Sequence, residues 1–481
     1  MNKYLILLSI SCYLGGCSVP RPAALPTTEL PDTWGQPPSQ PATKLDADWW
    51  KLYNDVALDA LVTEALEHNR DLALAAARVD EARALVGVAD ASLYPTVDLT
   101  AQTDRTRSSQ VAPIPIPASA LERTGYRAQL GVSYEIDFWG RLRGAGVAAR
   151  ADLLASEAGR DIVRIALVAD VVRGYSNMRA FDDQLATTRR TLVLREDNLK
   201  LQRVRAQAGL TTDYQLRQFE AETAAVRAQL PALERALRAE ELALATLVGR
   251  SPRAITTAAI TRGAANEAFA PTLVPEGLPS DLLLRRPDIA QAEQRLAAAG
   301  ARIHVLRMAL FPRIALTGYL GSESRLLGDL LSGPSAIWQL AFAVAQPVFQ
   351  AGRSKAEIAA AEARERQALA QYQKAVQDAF REVATALSAQ TRSREVFDAE
   401  STRVTLLTDA LRLARIRFDN GLVSQLEIID AERNLLAAQL NRIEALRAQR
   451  VAVADLSRAL GGGGGGGGSA GATNPRTVGR Q

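Results

Sequence analysis

The sequence predicts a mainly α-helical protein with a membrane β-barrel, built from a strand and long-helix unit that occurs twice in the chain. Three observations support this fold class. The chain repeats itself at a nearly constant offset, each copy holds strands with one apolar face, and each copy continues into a very long helical tract with apolar residues seven apart. With 481 residues and 47% hydrophobic content, the chain is not disordered throughout.

The repeat appears when the chain is aligned with itself. Pro95 corresponds to Pro312, an offset of 217, and farther along Gly209 corresponds to Gly421, an offset of 212. The change of five predicts a difference in loop length between the copies. We divide the chain into a signal peptide (1–16), a lipidated proline-rich tether (17–47), repeat 1 (48–250), an inter-repeat linker (251–279), repeat 2 (280–460) and a glycine-rich disordered tail (461–481).

The N-terminus has the pattern of an export signal. Lys3 precedes an apolar stretch too short to span a bilayer as a helix, and a leucine and two glycines then lead to Cys17. This pattern resembles the bacterial lipobox, which implies cleavage before Cys17 and acylation of that residue. By the same resemblance, the serine after the cysteine favours the outer membrane. The alternative is an ordinary cleaved signal with an incidental cysteine.

Each copy contains two segments with the period of a β-strand. In the clearest, residues 130–138, apolar side chains alternate with polar ones or glycine, which predicts one apolar and one polar face. The other expected strands lie near 97–103, 314–320 and 338–344, and exposed loops are expected at 105–124 and 323–335.

Long helices are expected after the strands. They begin near Arg141 and Arg353, and the first should extend roughly 100 Å to a turn near Gly209. Gly209 and Gly421 are placed as helix C-caps. Pro231 should interrupt and kink the return helix of the first copy. Shorter helices are expected at 71–92 and 288–309.

Four strands with an outward apolar face cannot close a barrel alone, and open strand edges are not tolerated in lipid. The chain should therefore form oligomers. Two chains would supply eight strands and three would supply twelve, and both numbers are possible for a membrane barrel. The helices carry many charges and should lie in water beyond the barrel.

Composition argues against an enzyme and against a nucleic-acid-binding protein. The formal charge is only +4, which is too balanced for gripping a polyanion. The two histidines, His68 and His304, lie in separate helical segments, and both cysteines, Cys12 and Cys17, lie near the N-terminus. These residues cannot supply most metal or nucleophile clusters. We expect no catalytic residue, cofactor or metal site.

The motifs of the chain resemble those of TolC-like outer-membrane efflux factors, in their acylated branch. The resemblance covers about 48–460 and rests on residues 134–141, on 284–293 and on the two Arg-x-x-x-Gly-Leu turns. It implies a homotrimer with a twelve-stranded outer-membrane β-barrel continued by a periplasmic α-helical barrel. It also implies a periplasmic adaptor (membrane fusion) protein and an inner-membrane efflux pump as partners. The chain would then be a passive conduit for drugs and small toxic compounds.

The resemblance also suggests functional residues. Glu427 and Asp430 match acidic positions that line the closed periplasmic end, where a trimer would gather six carboxylates that repel one another and attract cations. The alternative is two ordinary solvated carboxylates. The two turns resemble adaptor-docking tips, although plain helix-hairpin chemistry explains the same residues. The predicted tip residues are Arg205, Gly209, Leu210, Arg417, Gly421 and Leu422.

Other functions fit the sequence less well. The same fold could serve type I protein secretion or metal efflux. A lipid-anchored periplasmic coiled-coil adaptor is an alternative of another class, but it would not need four lipid-compatible strands. A periplasmic enzyme has support only from scattered serine and aspartate residues.

Overall fold

A computed structural model describes residues 47–111, 113, 116–118, 121–257, 259–263 and 285–462. The predicted signal peptide, Cys17, nearly all of the predicted tether, and most of the linker and of the glycine-rich tail lie outside the described residues. The first copy contains α1 (Val56–His68), α2 (Arg70–Ala91), β1 (Thr96–Arg107), β2 (Glu122–Ile136), α3 (Arg141–Gln207), α4 (Asp213–Leu247) and α5 (Pro252–Thr257). The second contains α6 (Pro287–Met308), β3 (Arg313–Ser324), β4 (Ala336–Ala345), α7 (Arg353–Asp419) and α8 (Gln425–Ala459).

The long helices begin and end where the sequence predicts, since α3 starts at Arg141, α7 starts at Arg353, and both stop just before a glycine. The predicted interruption at Pro231 is wrong, because α4 continues through that residue, whereas the predicted kink stays a prediction. The boundary of the predicted disordered tail also needs correction. Gly461 and Gly462 have φ values of +88° and +67° and close α8, with the Gly462 N–H donating to the Ser457 carbonyl at 2.8 Å.

The strands differ from the prediction at their ends. The expected loop at 105–124 is too long, because β1 continues to Arg107 and β2 starts at Glu122. The Glu122 carboxylate pairs with Arg105 at 2.9 Å and with Arg107 at 3.6 Å, so charged side chains extend this ladder beyond its apolar part. Likewise, β3 continues to Ser324.

The expected strand at 130–138 also ends early, at Ile136. The next residue, Asp137, accepts hydrogen bonds from the backbone N–H groups of Leu142 at 3.0 Å and Arg143 at 2.8 Å. These are donors of the first turn of α3, which have no partner within the helix. Asp137 therefore joins the strand to the helix as a cap.

The four strands form one antiparallel sheet in the order β1-β2-β3-β4. The register places Leu99, Leu130, Leu320 and Trp338 in one row across all four strands, and each of these side chains is at least 48% exposed. Successive residues of a strand point to opposite faces. The sheet therefore has one exposed apolar face, as the alternating pattern predicts, and one mainly polar face.

The described residues fall into two compact units. One contains Ala77–Glu157 and Gln291–Lys374, including the sheet. The other contains the described parts of Thr28–Ala76, Ala158–Ala290 and Ala375–Gln481. In the second unit, the predicted series of apolar residues seven apart on α3 is largely buried, with Val171 and Met178 fully inaccessible. Within the described part of the chain, no helix combines the length and hydropathy needed to cross a membrane.

In each copy, the residue just before the helix that leads into the first strand (α2 or α6) forms a hydrogen bond with the end of the return helix. The Asn69 side-chain amide donates to the Leu247 carbonyl at the end of α4, at 2.8 Å. In the second copy, Arg286 Nη1 donates to the Ala459 carbonyl at the end of α8, also at 2.8 Å. These bonds satisfy carbonyl groups that a helix C-terminus leaves without a partner.

Candidate functional site

The turn between α3 and α4 is built on backbone hydrogen bonds. Gly209 has a φ of +69°, a conformation that glycine adopts without steric cost. The Leu210 N–H donates to the Arg205 carbonyl at 2.8 Å, which closes α3 as a Schellman-type motif. Thr212 then begins α4 in a capping box with Gln215. In this turn, Arg205 contributes its carbonyl oxygen.

The turn between α7 and α8 repeats this geometry. Gly421 has a φ of +74°, and the Leu422 N–H donates to the Arg417 carbonyl at 2.9 Å. The caps of the return helices differ, because Ser424 makes no side-chain capping hydrogen bond. Leu210 and Leu422 are 69% and 70% exposed. Each turn therefore presents an apolar side chain to solvent.

The two predicted gate residues lie in the first turns of α8 and are exposed. Glu427 Oε2 is 3.8 Å from Arg417 Nη1, and Asp430 Oδ1 is 3.8 Å from Arg433 Nη2. Both distances exceed a hydrogen bond, and exposed ion pairs of this kind contribute little to stability. The structure thus brings the tip arginine of the second turn near Glu427 and leaves both carboxylates accessible.

Between the two carboxylates, Ile429 is 3% exposed and attaches the start of α8 to the first hairpin. It packs with Leu199 of α3 and Phe219 of α4, and Leu216 lies against this cluster. The apolar side chain holds α8 against the hairpin while Glu427 and Asp430 on the same helix stay exposed. Apolar contacts of this kind fix the orientation of a helix face.

Sequence reasoning missed a charged cluster beside these residues. Glu222 accepts hydrogen bonds from Arg195 at 3.1 Å and from Arg433 at 2.7 Å. The Arg195 side chain is only 6% exposed, so Glu222 compensates a buried charge. The cluster joins α3, α4 and α8, and Arg433 also approaches the predicted gate residue Asp430.

A second pair of contacts could have been found from the repeat. Arg203 pairs with Glu220 at 3.1 Å in the first hairpin, and Arg415 pairs with Glu432 at 3.1 Å in the second. Both residues of the pair recur at the offset of 212 that relates the turns. The side chain of Glu432 is 15% exposed and that of Glu220 is 28% exposed. The repeated pair therefore connects the two helices of each hairpin below its turn.

The predicted site residues are distributed as follows. Arg205, Gly209 and Leu210 meet in the first turn, and their counterparts meet in the second. Cys17 lies outside the described residues. Among the residues that the structure describes, no group of three potential metal ligands comes together.

Comparison with known proteins gives one consistent result. The model of the outer membrane efflux protein family matches residues 61–250 and 278–462. The probable efflux pump outer membrane protein TtgC of Pseudomonas putida is 33% identical over 474 residues, which cover 96% of each chain. The outer membrane protein OprJ of Pseudomonas aeruginosa is 34% identical over 95% of each chain. The probable outer membrane lipoprotein SilC of Salmonella typhimurium is 33% identical over 87% of this chain and 88% of its own.

Solved structures agree with this result. The Campylobacter jejuni outer membrane channel CmeC matches with a TM-score of 0.88 and 25% identity, over 93% of this chain and 95% of that one. The open-state channel MtrE of Neisseria gonorrhoeae matches with a TM-score of 0.81 and 29% identity, over 93% and 98% of the two chains. Nearly the whole described chain is therefore accounted for by one kind of structure.

Proposed function

Because this chain belongs to the outer membrane efflux protein family, we propose that three copies of it form one channel from the periplasm through the outer membrane. Family membership confirms the predicted resemblance to TolC-like efflux factors, the mainly helical fold with antiparallel strands, and the location in the outer membrane. The protein is thus an outer-membrane efflux channel. Its oligomeric assembly, cargo and functional residues are the subject of the proposal.

The sheet is the observation that supports closure of a barrel between copies of the chain, and three is the number that the resemblance to TolC-like channels implies. Its order leaves β1 and β4 at the edges, and its exposed face carries rows of large apolar side chains. Backbone groups at such edges must be paired in lipid. We propose that β1 of one copy pairs with β4 of the next, so that three copies close a twelve-stranded barrel. The charged long helices would then form a helical barrel in the periplasm.

The turns and the acidic residues would form the periplasmic end. We propose that Leu210 and Leu422 dock a periplasmic adaptor, because they are apolar, exposed and presented by rigid glycine turns. Arg205 and Arg417 close these turns through their carbonyl groups. Glu427 and Asp430 would narrow the pore and open it when adaptor and inner-membrane pump assemble. The channel would be passive, with no catalytic step of its own.

The names of the relatives suggest a class of cargo. Proteins at least 33% identical to this chain are named for efflux of toluene or antibiotics and for export of pyoverdine. We propose that this channel likewise conducts small organic compounds. Export of metal ions is the second candidate, because a ring of carboxylates at the tip would attract cations.

Conductance in planar bilayers tests the channel and the gate. The full-length protein is compared with the double variant Glu427→Gln/Asp430→Asn. We expect cation-selective channels from the unaltered protein. In the double variant, we expect a single-channel conductance about twofold higher and weaker block by divalent cations. The reason is that carboxylates that repel one another in a narrow ring bind divalent cations, which then obstruct the pore.

The matched control for this experiment is Glu395→Gln/Asp398→Asn on α7. These two carboxylates are also exposed and three residues apart, but they lie more than five helical turns before the tip. Equal changes of conductance in both double variants would contradict the assignment of Glu427 and Asp430 to a gate. A folded trimer without channels would contradict the conduit and favour the anchored coiled-coil alternative.

Acylation is tested on the mature protein. Cys17→Ser should abolish incorporation of labelled palmitate, because it removes the thiol that the lipobox resemblance assigns to acylation. Labelling in cells measures this loss, and mass spectrometry of the N-terminal peptide of the unaltered protein measures the acyl group. An unmodified N-terminal peptide in the unaltered protein would overturn the assignment of Cys17.

A further inference from the structure

The polar face of the sheet carries a cluster that the gate and the docking tips do not explain. The register places Gln102, Arg127 and Glu323 in one row across β1, β2 and β3. Their neighbours along the strands alternate to the other face, where the exposed leucines lie. In a membrane barrel the apolar face meets lipid and the opposite face meets the water-filled lumen. Arg127 and Glu323 therefore face the lumen.

The Arg127 side chain is held along the sheet. Its Nε atom is 3.3 Å from Glu323 Oε2, and its guanidinium carbon is 5.3 Å from the centroid of the Tyr319 ring. Gly131 lies opposite Tyr319, and Gly321 lies between Tyr319 and Glu323 on the same face of β3. Neither glycine has a side chain, which leaves room on this face for the arginine to reach the ring. A guanidinium over an aromatic face is attracted by the ring electrons.

The two charges are unequally presented. The Glu323 side chain is 53% exposed and that of Arg127 is 31% exposed. Among the described residues, Arg127 Nε has no hydrogen-bond partner, so the pair is close without being a hydrogen-bonded bridge. A pair without a hydrogen bond neutralises each charge only in part, so both charges can still act on ions that pass close by. The more exposed carboxylate then dominates the local potential.

We propose that Arg127 and Glu323 set the charge selectivity of the barrel section of the pore, with Tyr319 as the positioning residue that keeps Arg127 against the wall. This inference rests on the proposed channel, in which three copies line one lumen. Three such pairs would lie at one level of the barrel. They would favour small cations weakly in the unaltered protein, because Glu323 is the more accessible charge.

Reversal potentials under a KCl gradient test this proposal on the full-length trimer. Glu323→Gln should lower the ratio of potassium to chloride permeability about twofold, and Arg127→Gln should raise it by a similar factor, because each variant leaves one charge of the pair uncompensated in the lumen. The double variant Arg127→Gln/Glu323→Gln should have a permeability ratio between those of the two single variants.

Tyr319 is tested by two substitutions. Tyr319→Phe keeps an aromatic face beneath the guanidinium and should leave the permeability ratio unchanged. Tyr319→Leu removes that face, lets Arg127 extend into the lumen and should lower the ratio in the same direction as Glu323→Gln. Equal ratios in the Phe and Leu variants would remove the positioning role.

The matched control is Glu122→Gln. Glu122 also pairs with an arginine, Arg105 at 2.9 Å, but the register puts this pair on the apolar face. Glu122→Gln should not change the ratio of potassium to chloride permeability. If channels conduct and Glu323→Gln has no larger effect than Glu122→Gln, the selectivity proposal is wrong and the channel stands. If the folded, unaltered trimer gives no channels, both proposals fall.

Discussion

Gly249→Ala is expected to destabilise the folded chain by about 3 kcal/mol, because strain and overlap act together at this position. Gly249 ends the return helix of the first copy with a φ of +75°, which side chains rarely adopt. A Cβ there would also lie 2.1 Å from the carbonyl oxygen of His68. The carbonyl oxygen belongs to the backbone and the position of the Cβ is fixed by the backbone, so neither atom can rotate away.

The surroundings of Gly249 make relaxation costly. Arg250 forms two hydrogen bonds with the Glu64 carboxylate, at 2.8 and 3.0 Å, and Asn69 bonds the Leu247 carbonyl. A shift of the chain that relieved the overlap would break these contacts. We therefore expect the variant to unfold at a lower temperature, measured by circular dichroism, and to accumulate at a lower level in the membrane, measured on gels.

Gly209→Ala provides the control for strain alone. Gly209 has a similar φ of +69°, but a Cβ there would meet no atom within 4 Å. Its expected cost is about 1 kcal/mol. The difference between the two variants isolates the close approach to His68. Equal decreases in the unfolding temperature would show that Gly249 is required only for its backbone conformation.

Local patterns explain why so much of the fold could be predicted. Prolines at 95 and 312 and glycines at 209 and 421 mark the ends of helices through their own backbone restrictions. The alternation of apolar residues at 130–136 identified a two-faced strand before its partners were known. In each case, the physical cause acts within a few residues of the chain.

Contacts between distant segments could not be predicted in this way. Nothing in the sequence around Arg195 distinguishes it from exposed arginines of the same helix, yet it is buried against Glu222. Arg433 is close in sequence to the predicted gate residue Asp430, but its hydrogen bond to Glu222 spans 211 positions. Such pairs depend on how helices pack, which periodicity alone does not specify.

The candidate site could be predicted only in part, because some of its contacts join distant segments of the chain. The repeat predicted the turns, and the resemblance to known channels suggested Glu427 and Asp430, whose role in a gate stays a prediction. Ile429 between them shows what was missing, because its burial against Leu199 and Phe219 orients both carboxylates. The predicted helix start at Asp288 is a further example. The sequence placed Asp288 at the start of a helix, but it did not show that the carboxylate pairs with the buried Arg286 at 2.7 Å.

Arg286→Met is expected to destabilise the second copy by about 2 to 4 kcal/mol, measured as a lower temperature of thermal unfolding. The Arg286 side chain is 7% exposed and donates to Asp288, to Glu382 at 2.7 Å and to the Ala459 carbonyl. Burial acts to lower the pKa of this guanidinium, but the hydrogen bonds and charges of Asp288 and Glu382 outweigh it and raise the pKa. Methionine fills the space and leaves all three acceptors without their donor.

Two comparisons separate the possible causes of this loss. Arg285→Met makes the same change at the exposed neighbouring residue and should cost less than Arg286→Met, because the Arg285 side chain is not buried. Asn69→Ala removes the corresponding contact of the first copy, a neutral amide bonded to the Leu247 carbonyl, and should cost about 1 to 2 kcal/mol. If Arg286→Met cost no more than Asn69→Ala, the ion pairs would add nothing to closing the helix end. A larger cost, by contrast, would show that the second copy replaced a neutral contact with a charged network that holds α6, α7 and α8 together.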